Sequence, residues 1–470
     1  MLLQPISGFL NSGDVGISLS RRTDGIPKTG SFILNNLCYY FIRSGPIPSL
    51  IQFTLKGLIL PYLKGVRFMP IYKSKAFLYH GHPEQVTLET IHLDCGPNDI
   101  VVKVLMCARC GTDKSIFQFG HKNVDPYAPV VLGHELIGII VEVGNNVSNC
   151  NEGIGYSQGK ILSNEYLHFT PGERVTFQSR IARYKNGLML IPRPIANLSF
   201  QINGGYSQYM KVPEKMIRSE SLIRVPDKVS DEEACLIEPA ACALESIYAT
   251  PHPVGVDNQG RHLYKAGIQP GGKTCIIGSG TVSMIYASLS LLEGALEVIM
   301  IVRSPEKEKR IKEILGNKVR IYVASKPKNS TIQENIINEE QIIHDLENMT
   351  DGYLFDDVVC ACSDPNAQRL MLKLYTKEGY AVGACFGGTH ALIDQADIDQ
   401  NHYRCAKTIG TSGCSTDAMK TILQWINEGN LSFKGFTSSR KFTFNDSPKE
   451  FFTTSADGLK PVLYPWEVES

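Results

Sequence analysis

The sequence predicts an α/β protein built from a β-rich domain followed by a doubly wound parallel sheet of the Rossmann type. Three observations predict it. Residues 70 to about 240 are short β-type runs broken by Gly and Pro, among them "IVVKVLMCARC" and "PVVLGHELIGIIVEVG". Further on, the strand-like runs "KTCIIG", "EVIMIV", "VRIYVA", "FDDVVCAC", "YAVGACF" and "AKTIGTS" are separated mostly by helical stretches. The first of these runs passes directly into a glycine-containing turn and then a helical stretch, the setting of a dinucleotide fingerprint.

At 470 residues the chain is too long for one ordinary core. Four segments are expected: an extension over 1–68, a β-rich catalytic domain over 69–240, a Rossmann domain over 241–411, and a return segment over 412–470 that packs on the first domain. In the extension, the apolar runs Ser31 to Ile42 and Ser44 to Leu55 are interrupted by Arg43, Lys56 and Lys64, so no span of about 18 apolar residues exists. The extension lacks the order of a signal peptide, although Arg21, Arg22 and a serine-rich start have transit-peptide character. Met69 is the more natural start, and the extension reads as non-functional.

Lys plus Arg equals Asp plus Glu at 47 each, so nothing in the charge balance marks a nucleic acid or acidic membrane partner. Small molecules are the expected ligands. Thirteen cysteines, an odd number without a framework, point to reduced thiols and a cytoplasmic protein.

Within the elements, "SDEEACLIEPAACALESIYA" predicts a helix with Ser230 as N-cap and Glu233 three residues on. Residues 327–350 read as a polar insertion and a crossover helix, and "STDAMKTILQWINEG" as a helix of the return segment.

In "CIIGSGTVSM", Gly278 and Gly280 would admit a pyrophosphate, and Ser283 stands where a third glycine usually allows close packing of helix on strand. The second strand ends in Val302 and Arg303 rather than in a carboxylate for an adenosine ribose; Glu297 lies at its opposite end. Arg303, with Lys307 and Arg310, either favours the 2′-phosphate of NADP over NAD or is ordinary solvated charge.

The strongest chemical pattern is "CARCGTD" followed by "VVLGHELIG". The thiol of Cys110, the imidazole of His134 and a carboxylate suit Zn²⁺. Glu238 in "LIEPAACAL" is the candidate third ligand, while Glu135 is either a ligand or an orienting neighbour. Three protein ligands leave a position open, as a catalytic zinc requires. Cys107 and Cys110 form C-x-x-C, but Gly111 and Thr112 read as a turn rather than a helix start, which argues against a redox pair and leaves Cys107 as packing. Cys360 and Cys362 read as core or cofactor neighbours.

The C-G-T-D, G-H-E and E-P motifs, in this order before a Rossmann unit, resemble the zinc-containing medium-chain alcohol and sorbitol dehydrogenase family over residues 70–470. The resemblance implies a GroES-like catalytic domain, zinc held by Cys110 and His134 with Glu135 or Glu238, a catalytic part for Glu135, and a proton relay through the hydroxyl of Thr112. It also implies a homodimer or homotetramer. Two departures stand out. Cys150 is alone where four cysteines usually hold a structural zinc, so one zinc per chain is expected. The spacer "YATPHPVGVDNQGRHLYKAGIQPGGK" is long and, with "GTSGCSTDAMK", is similar to a subgroup that includes L-sorbose-1-phosphate reductase. The implied reaction interconverts a secondary alcohol and ketone of a polyol, sugar or sugar phosphate, best guessed as L-sorbose 1-phosphate to sorbitol 6-phosphate. Arg180, Arg183, Lys185 and Arg193 either supply a phosphate pocket or form an ordinary exposed loop. The alternatives are a zinc-free quinone or enoyl reductase on the same fold, and a non-enzymatic NADP-binding regulator.

Overall fold

The structure, a computed structural model, describes residues 70–149, 164–181, 184–185, 188–189, 196–324, 332–385, 401–454 and 457–466. Residues 1–68, Met69, Cys150, Arg183 and Arg193 lie outside the described residues, as does the side chain of Lys185. The chain divides into two compact units, Met1–Tyr72 with His92–Cys95 and Lys73–Ile91 with Gly96–Ser470, and all that follows concerns the second. Among the described residues no helix is long and apolar enough to cross a membrane.

The β-rich part is organised around β1 (Ile100–Ala108), which pairs antiparallel with β2 (Glu135–Val143); β2 in turn pairs with β3 (Arg174–Phe177), and β4 (Tyr209–Val212) also pairs with β1. A short β5 (Leu222–Arg224) extends the sheet beyond β3. Val102 and Val104 of β1 bury in a core with Phe77, Tyr206 and Phe451, whereas Met106 and Ala108 join a second core containing Ala240 and Met284. One strand therefore serves two apolar interiors, which is why its sequence is nearly continuous in apolar residues.

The chain leaves β1 through Cys110 and enters helix α1 (Gly111–Phe119). The expected turn at Gly111 and Thr112 is thus the first turn of a helix. Its cause is a capping box: Cys110 Sγ accepts from the Thr112 N–H at 3.4 Å and the Asp113 carboxylate accepts from the Cys110 N–H at 3.2 Å. Cys107, fully buried in β1, packs against Gly133 and Gly205, so the redox-pair reading fails through burial rather than through a turn.

Ser230 caps α2 (Asp231–Ala234), its Oγ accepting from the Glu233 N–H at 3.3 Å. The single helix expected here breaks and restarts as α3 (Ile237–Tyr248). Pro239 has no N–H to continue the ladder and is tolerated only near a helix start, so Glu238 sits in a first turn. The long spacer after α3 forms an antiparallel hairpin, Pro251–Val256 with His262–Ala266, moored by a buried His252 Nε2 to Asp357 Oδ1 contact of 2.8 Å.

The second half follows the alternation read from the sequence. It contains β6 (Lys273–Ile277), α4 (Thr281–Leu292), β7 (Glu297–Val302), α5 (Pro305–Leu315), β8 (Arg320–Val323), α6 (Ile332–Met349), β9 (Asp357–Cys360), α7 (Pro365–Lys373), β10 (Val382–Cys385) and β11 (Lys407–Gly410). Strand order is β8-β7-β6-β9-β10-β11, all parallel. On β6, Ile276 packs with Met284 of α4, while Cys275 and Ile277 pack with Leu346 of α6, as a strand covered on both faces must.

After α8 (Thr416–Glu428), β12 (Thr437–Phe442), α9 (Pro448–Thr453) and β13 (Lys460–Leu463) return to the first sheet, where β13 pairs antiparallel with β1. Trp466 clamps this return: its Nε1 donates to the Val104 carbonyl at 2.7 Å, its ring lies 4.3 Å from Lys103 Nζ, and Tyr209 meets it edge-on at 5.3 Å. Trp466→Ala is expected to cost about 2 kcal/mol, and Trp466→Phe, which loses the donor and keeps a ring, about half as much. Urea midpoints of the three proteins check this.

Candidate metal and dinucleotide sites

Local folding gathers the first site at one end of β1 and β2. Cys110 follows β1 directly, and His134 and Glu135 stand where β2 begins, with Glu135 paired across to Ala108. Gly133 has φ +93°, and a Cβ there would meet Tyr206 and Cys107 at under 3 Å, so the turn that presents His134 requires glycine. One ligand atom each from Cys110, His134 and Glu135 lie within 4.8 Å of one another, and both His134 and Glu135 are shielded from solvent. Thr112 stands exposed in the first turn of α1, next to Cys110.

Glu238 is not in this group. It opens α3 with its carboxylate accepting from Ser179 Oγ at 2.9 Å, and it gathers with Cys242 and Cys414. Of the two carboxylates left open by the sequence, Glu135 is the one brought to Cys110 and His134.

Three residues around the triad were not given roles by the sequence reading. Asp113, fully buried, lies 3.5 Å from His134 Nδ1 and accepts from Tyr206 Oη at 2.6 Å. Burial would raise its carboxyl, but His134, Tyr206 and the Cys110 N–H outweigh that and hold it below the usual range. Lys460, on β13, donates from Nζ to Glu135 Oε1 at 2.8 Å and lies 2.7 Å from Oε2. Burial pushes the ammonium down, but Glu135 and Cys110 more than reverse this and carry it up to about 12. Glu135 itself is raised, by burial above all, against the opposing pull of Lys460 and His134. "CGTD" contained the hint for Asp113; nothing near Lys460 in sequence marks it, because its partner is 325 positions away.

The Lys460 backbone N–H donates to Thr281 Oγ1 at 2.9 Å, and that hydroxyl donates to the Phe436 carbonyl at 2.6 Å. Thr281 is the first residue of α4, immediately after Gly280. One lysine thus ties the glycine turn to the metal triad.

Beside the glycine turn is a cavity of about 860 Å³, lined by Gly278, Gly280, Arg303, Lys307 and Cys362 among others. Arg310 does not line it. Arg303 is ion-paired with Asp364, so its guanidinium is already partly engaged. Gly278 has φ +145°, and a Cβ there would fall 2.4 Å from Ser283 Oγ; at Gly280 the nearest atom to a Cβ is 3.8 Å away. Ser283 is buried beneath the turn and does not line the cavity, in the place where close packing of helix on strand needs a small residue. Cys360 is buried and Cys362 faces the cavity, a split that the sequence reading left open. Arg180, from the candidate phosphate cluster, donates to the Ser412 carbonyl at 3.0 Å and to Ser412 Oγ at 2.9 Å.

With fold and geometry described, known proteins can be compared. The family model for the alcohol dehydrogenase GroES-like domain matches residues 96–227. A curated sorbitol dehydrogenase from Halalkalibacterium halodurans is 24% identical over 376 residues, 79% of this chain and 92% of that protein. The (R,R)-butanediol dehydrogenase of Bacillus subtilis is 24% identical over 229 residues; the match takes in 46% of this chain and spans about half, 55%, of that enzyme. A solved structure from Sinorhizobium meliloti 1021, described as a zinc-binding dehydrogenase bound to NADP, superposes with a TM-score of 0.64 at 19% identity, covering 84% of this chain and 100% of that one. The fold is that of the zinc-dependent alcohol dehydrogenases.

Two outcomes are expected. His134 is buried, which lowers an imidazole, but Asp113 and Cys110 raise it well above its ordinary value. Its protonated form therefore stabilises the metal-free fold at low pH, a contribution lost as pH rises through the raised folded-state value. Zinc needs the neutral ring, so zinc affinity is expected to climb over that same interval above the usual imidazole range, with proton release detectable by calorimetry in buffers of differing ionisation enthalpy. In the turn, Gly278→Ala is expected to cost about 1–3 kcal/mol of stability, whereas Gly280→Ala leaves the melting temperature within a degree or two of the parent, on the order of a few tenths of a kcal/mol, and weakens dinucleotide binding. Thermal melts and fluorescence titration with NADPH separate the two.

Proposed function

We propose that the chain is a zinc-dependent, NAD(P)-linked oxidoreductase of the medium-chain dehydrogenase family, acting on a secondary alcohol or ketone of a polyol or sugar phosphate. The carrying observation is the convergence of Cys110, His134 and Glu135 within 4.8 Å, joined through Lys460 to the start of the helix behind Gly280. The relatives support the same reading, being named for sorbitol and butanediol oxidation.

The donor set fits zinc: sulfur, imidazole and carboxylate suit a borderline-soft ion, and the buried Asp113 beside His134 Nδ1 is the partner that orients a ligating imidazole. The glycine turn and its cavity fit a dinucleotide, since the space a Cβ at Gly280 would fill is open. Lewis-acid polarisation of the substrate oxygen and hydride exchange at nicotinamide are the chemistry these groups supply when bound.

The chain's own residues do the rest. Asp113 fixes the His134 ring and its tautomer; Lys460 holds Glu135 and offsets its buried charge. Thr112, exposed beside Cys110, is the group positioned to pass the alcohol proton towards solvent. Arg303 and Lys307 on the cavity wall favour NADP, with Arg303 exchanging Asp364 for a 2′-phosphate.

L-sorbose 1-phosphate is the first substrate to test. Wild type is expected to contain zinc and to oxidise NADPH with this ketose phosphate, and Cys110→Ala to lose turnover by about 10³-fold or more, as expected on removal of a metal ligand. Zinc-free wild type that still turns over would discard the metal mechanism; zinc with no turnover on ketose phosphates but activity on free polyols would discard only the phosphate.

A further inference from the structure

Strand β9 ends in Cys360, and the chain runs on through Ala361 and Cys362 to Asp364, the N-cap of α7. Cys360 stands opposite Ile277 of β6, and the Ala361 N–H donates to the Ile277 carbonyl at 3.0 Å. The Ala361 carbonyl is 3.3 Å from where a Cβ on Gly278 would stand. Cys362 therefore follows a backbone packed against the glycine turn, and with Gly278, Gly280 and Arg303 it lines the cavity of about 860 Å³. A group attached to its sulfur extends into that space.

Two thiols meet here. Cys360 Sγ lies 4.0 Å from Cys362 Sγ and 3.6 Å from the Cys362 carbonyl, so its S–H is available to the neighbouring sulfur. The Asp364 N–H also donates to that sulfur, and Arg303 at the end of β7 adds positive charge. Cys360 above all, then the Asp364 N–H and Arg303, bring the Cys362 thiol down to about 6 against burial and the Asp364 carboxylate. Donors gathered on a cysteine sulfur stabilise its anion, which is the nucleophilic form. Elsewhere burial pushes the thiols of Cys107, Cys235 and Cys275 up, and they line no cavity described above.

We propose that Cys362 is a modification site, a nucleophilic thiol that takes a small-molecule disulfide of the glutathione class, and that this adduct and a dinucleotide exclude one another from the cavity. The Cys362 sulfur attacks one sulfur of the disulfide; the new S–S bond forms as the old one breaks, and the departing thiolate takes the electron pair and then the proton that Cys362 lost. Cys362 is oxidised to a mixed disulfide while half of the reagent is reduced to a thiol, and excess small thiol reverses the step. Cys360 is a positioning residue that holds the attacking sulfur in its reactive form. The modification stands on the two thiols and the cavity, whereas the exclusion rests on the dinucleotide reading proposed above.

The test is peptide mass spectrometry of the whole protein, reduced, desalted with zinc present and incubated with glutathione disulfide. Wild type is expected to carry the adduct first on Cys362, and at a pH of about 6 to react about tenfold faster than a small thiol of ordinary acidity, because a gain on the order of a hundredfold in thiolate outweighs a loss of about tenfold in nucleophilicity. In Cys360→Ala the pH of half-maximal rate should rise by about one unit, and Cys360→Ser, which keeps a donor, should recover it; a merely structural Cys360 would leave that midpoint in place. Saturating NADPH, its binding followed by fluorescence, should slow the adduct on Cys362 by about tenfold or more and leave exposed Cys405 unaffected. Modification of Cys405 ahead of Cys362, or a midpoint in the ordinary thiol range, overturns the site. NADPH that binds without protecting Cys362 overturns the exclusion, and absence of NADPH binding in a protein still modified at Cys362 overturns the dinucleotide reading while supporting the site.

Discussion

The arrangement depends on a buried lysine. Lys460 gives its ammonium to Glu135 and its backbone N–H to Thr281, so a single residue of the returning strand touches both the metal triad and the helix behind the glycine turn. A buried ammonium or carboxylate alone would be severely destabilising, and each makes the other tolerable. The Glu135 carboxylate therefore depends on correct placement of β13, and β13 is placed by its pairing with β1, the strand that leads into Cys110.

Around that pair the charges are laid out in sequence. Asp113 faces His134, His134 faces Cys110, and Glu135 faces Lys460, with Tyr206 closing the far side of Asp113. Asp113 with His134, and Glu135 with Lys460, are oppositely charged neighbours that orient these side chains. The three side chains are thus preorganised by the protein's own contacts.

Much of this was legible in the sequence, because its signals are local or periodic. The six parallel strands announced themselves as apolar runs, and their order follows from the rule that governs doubly wound sheets. Cys110, His134 and Glu135 were found from residue type, and Gly278 from its place between strand and helix. The misreadings came from features that a string does not display. The helix at Gly111 was hidden because its cap is a cysteine and not Ser, Asp or Asn. The choice between Glu135 and Glu238 stayed open because a one-dimensional reading does not show which carboxylate stands beside Cys110 and His134. Lys460 was invisible for the same reason, since an isolated lysine is ordinarily solvated.

The return of β13 to β1 also orders events in time. During synthesis Cys110, His134 and Glu135 leave the ribosome long before Lys460, and until it arrives the Glu135 carboxylate has no ammonium to bury against. Until then the β-rich half lacks both the strand that pairs with β1 and the ammonium that Glu135 contacts. The Lys460–Glu135 contact forms only once β13 has docked, so a chain that stalls or misfolds in its second half leaves the Glu135 carboxylate without its counter-charge.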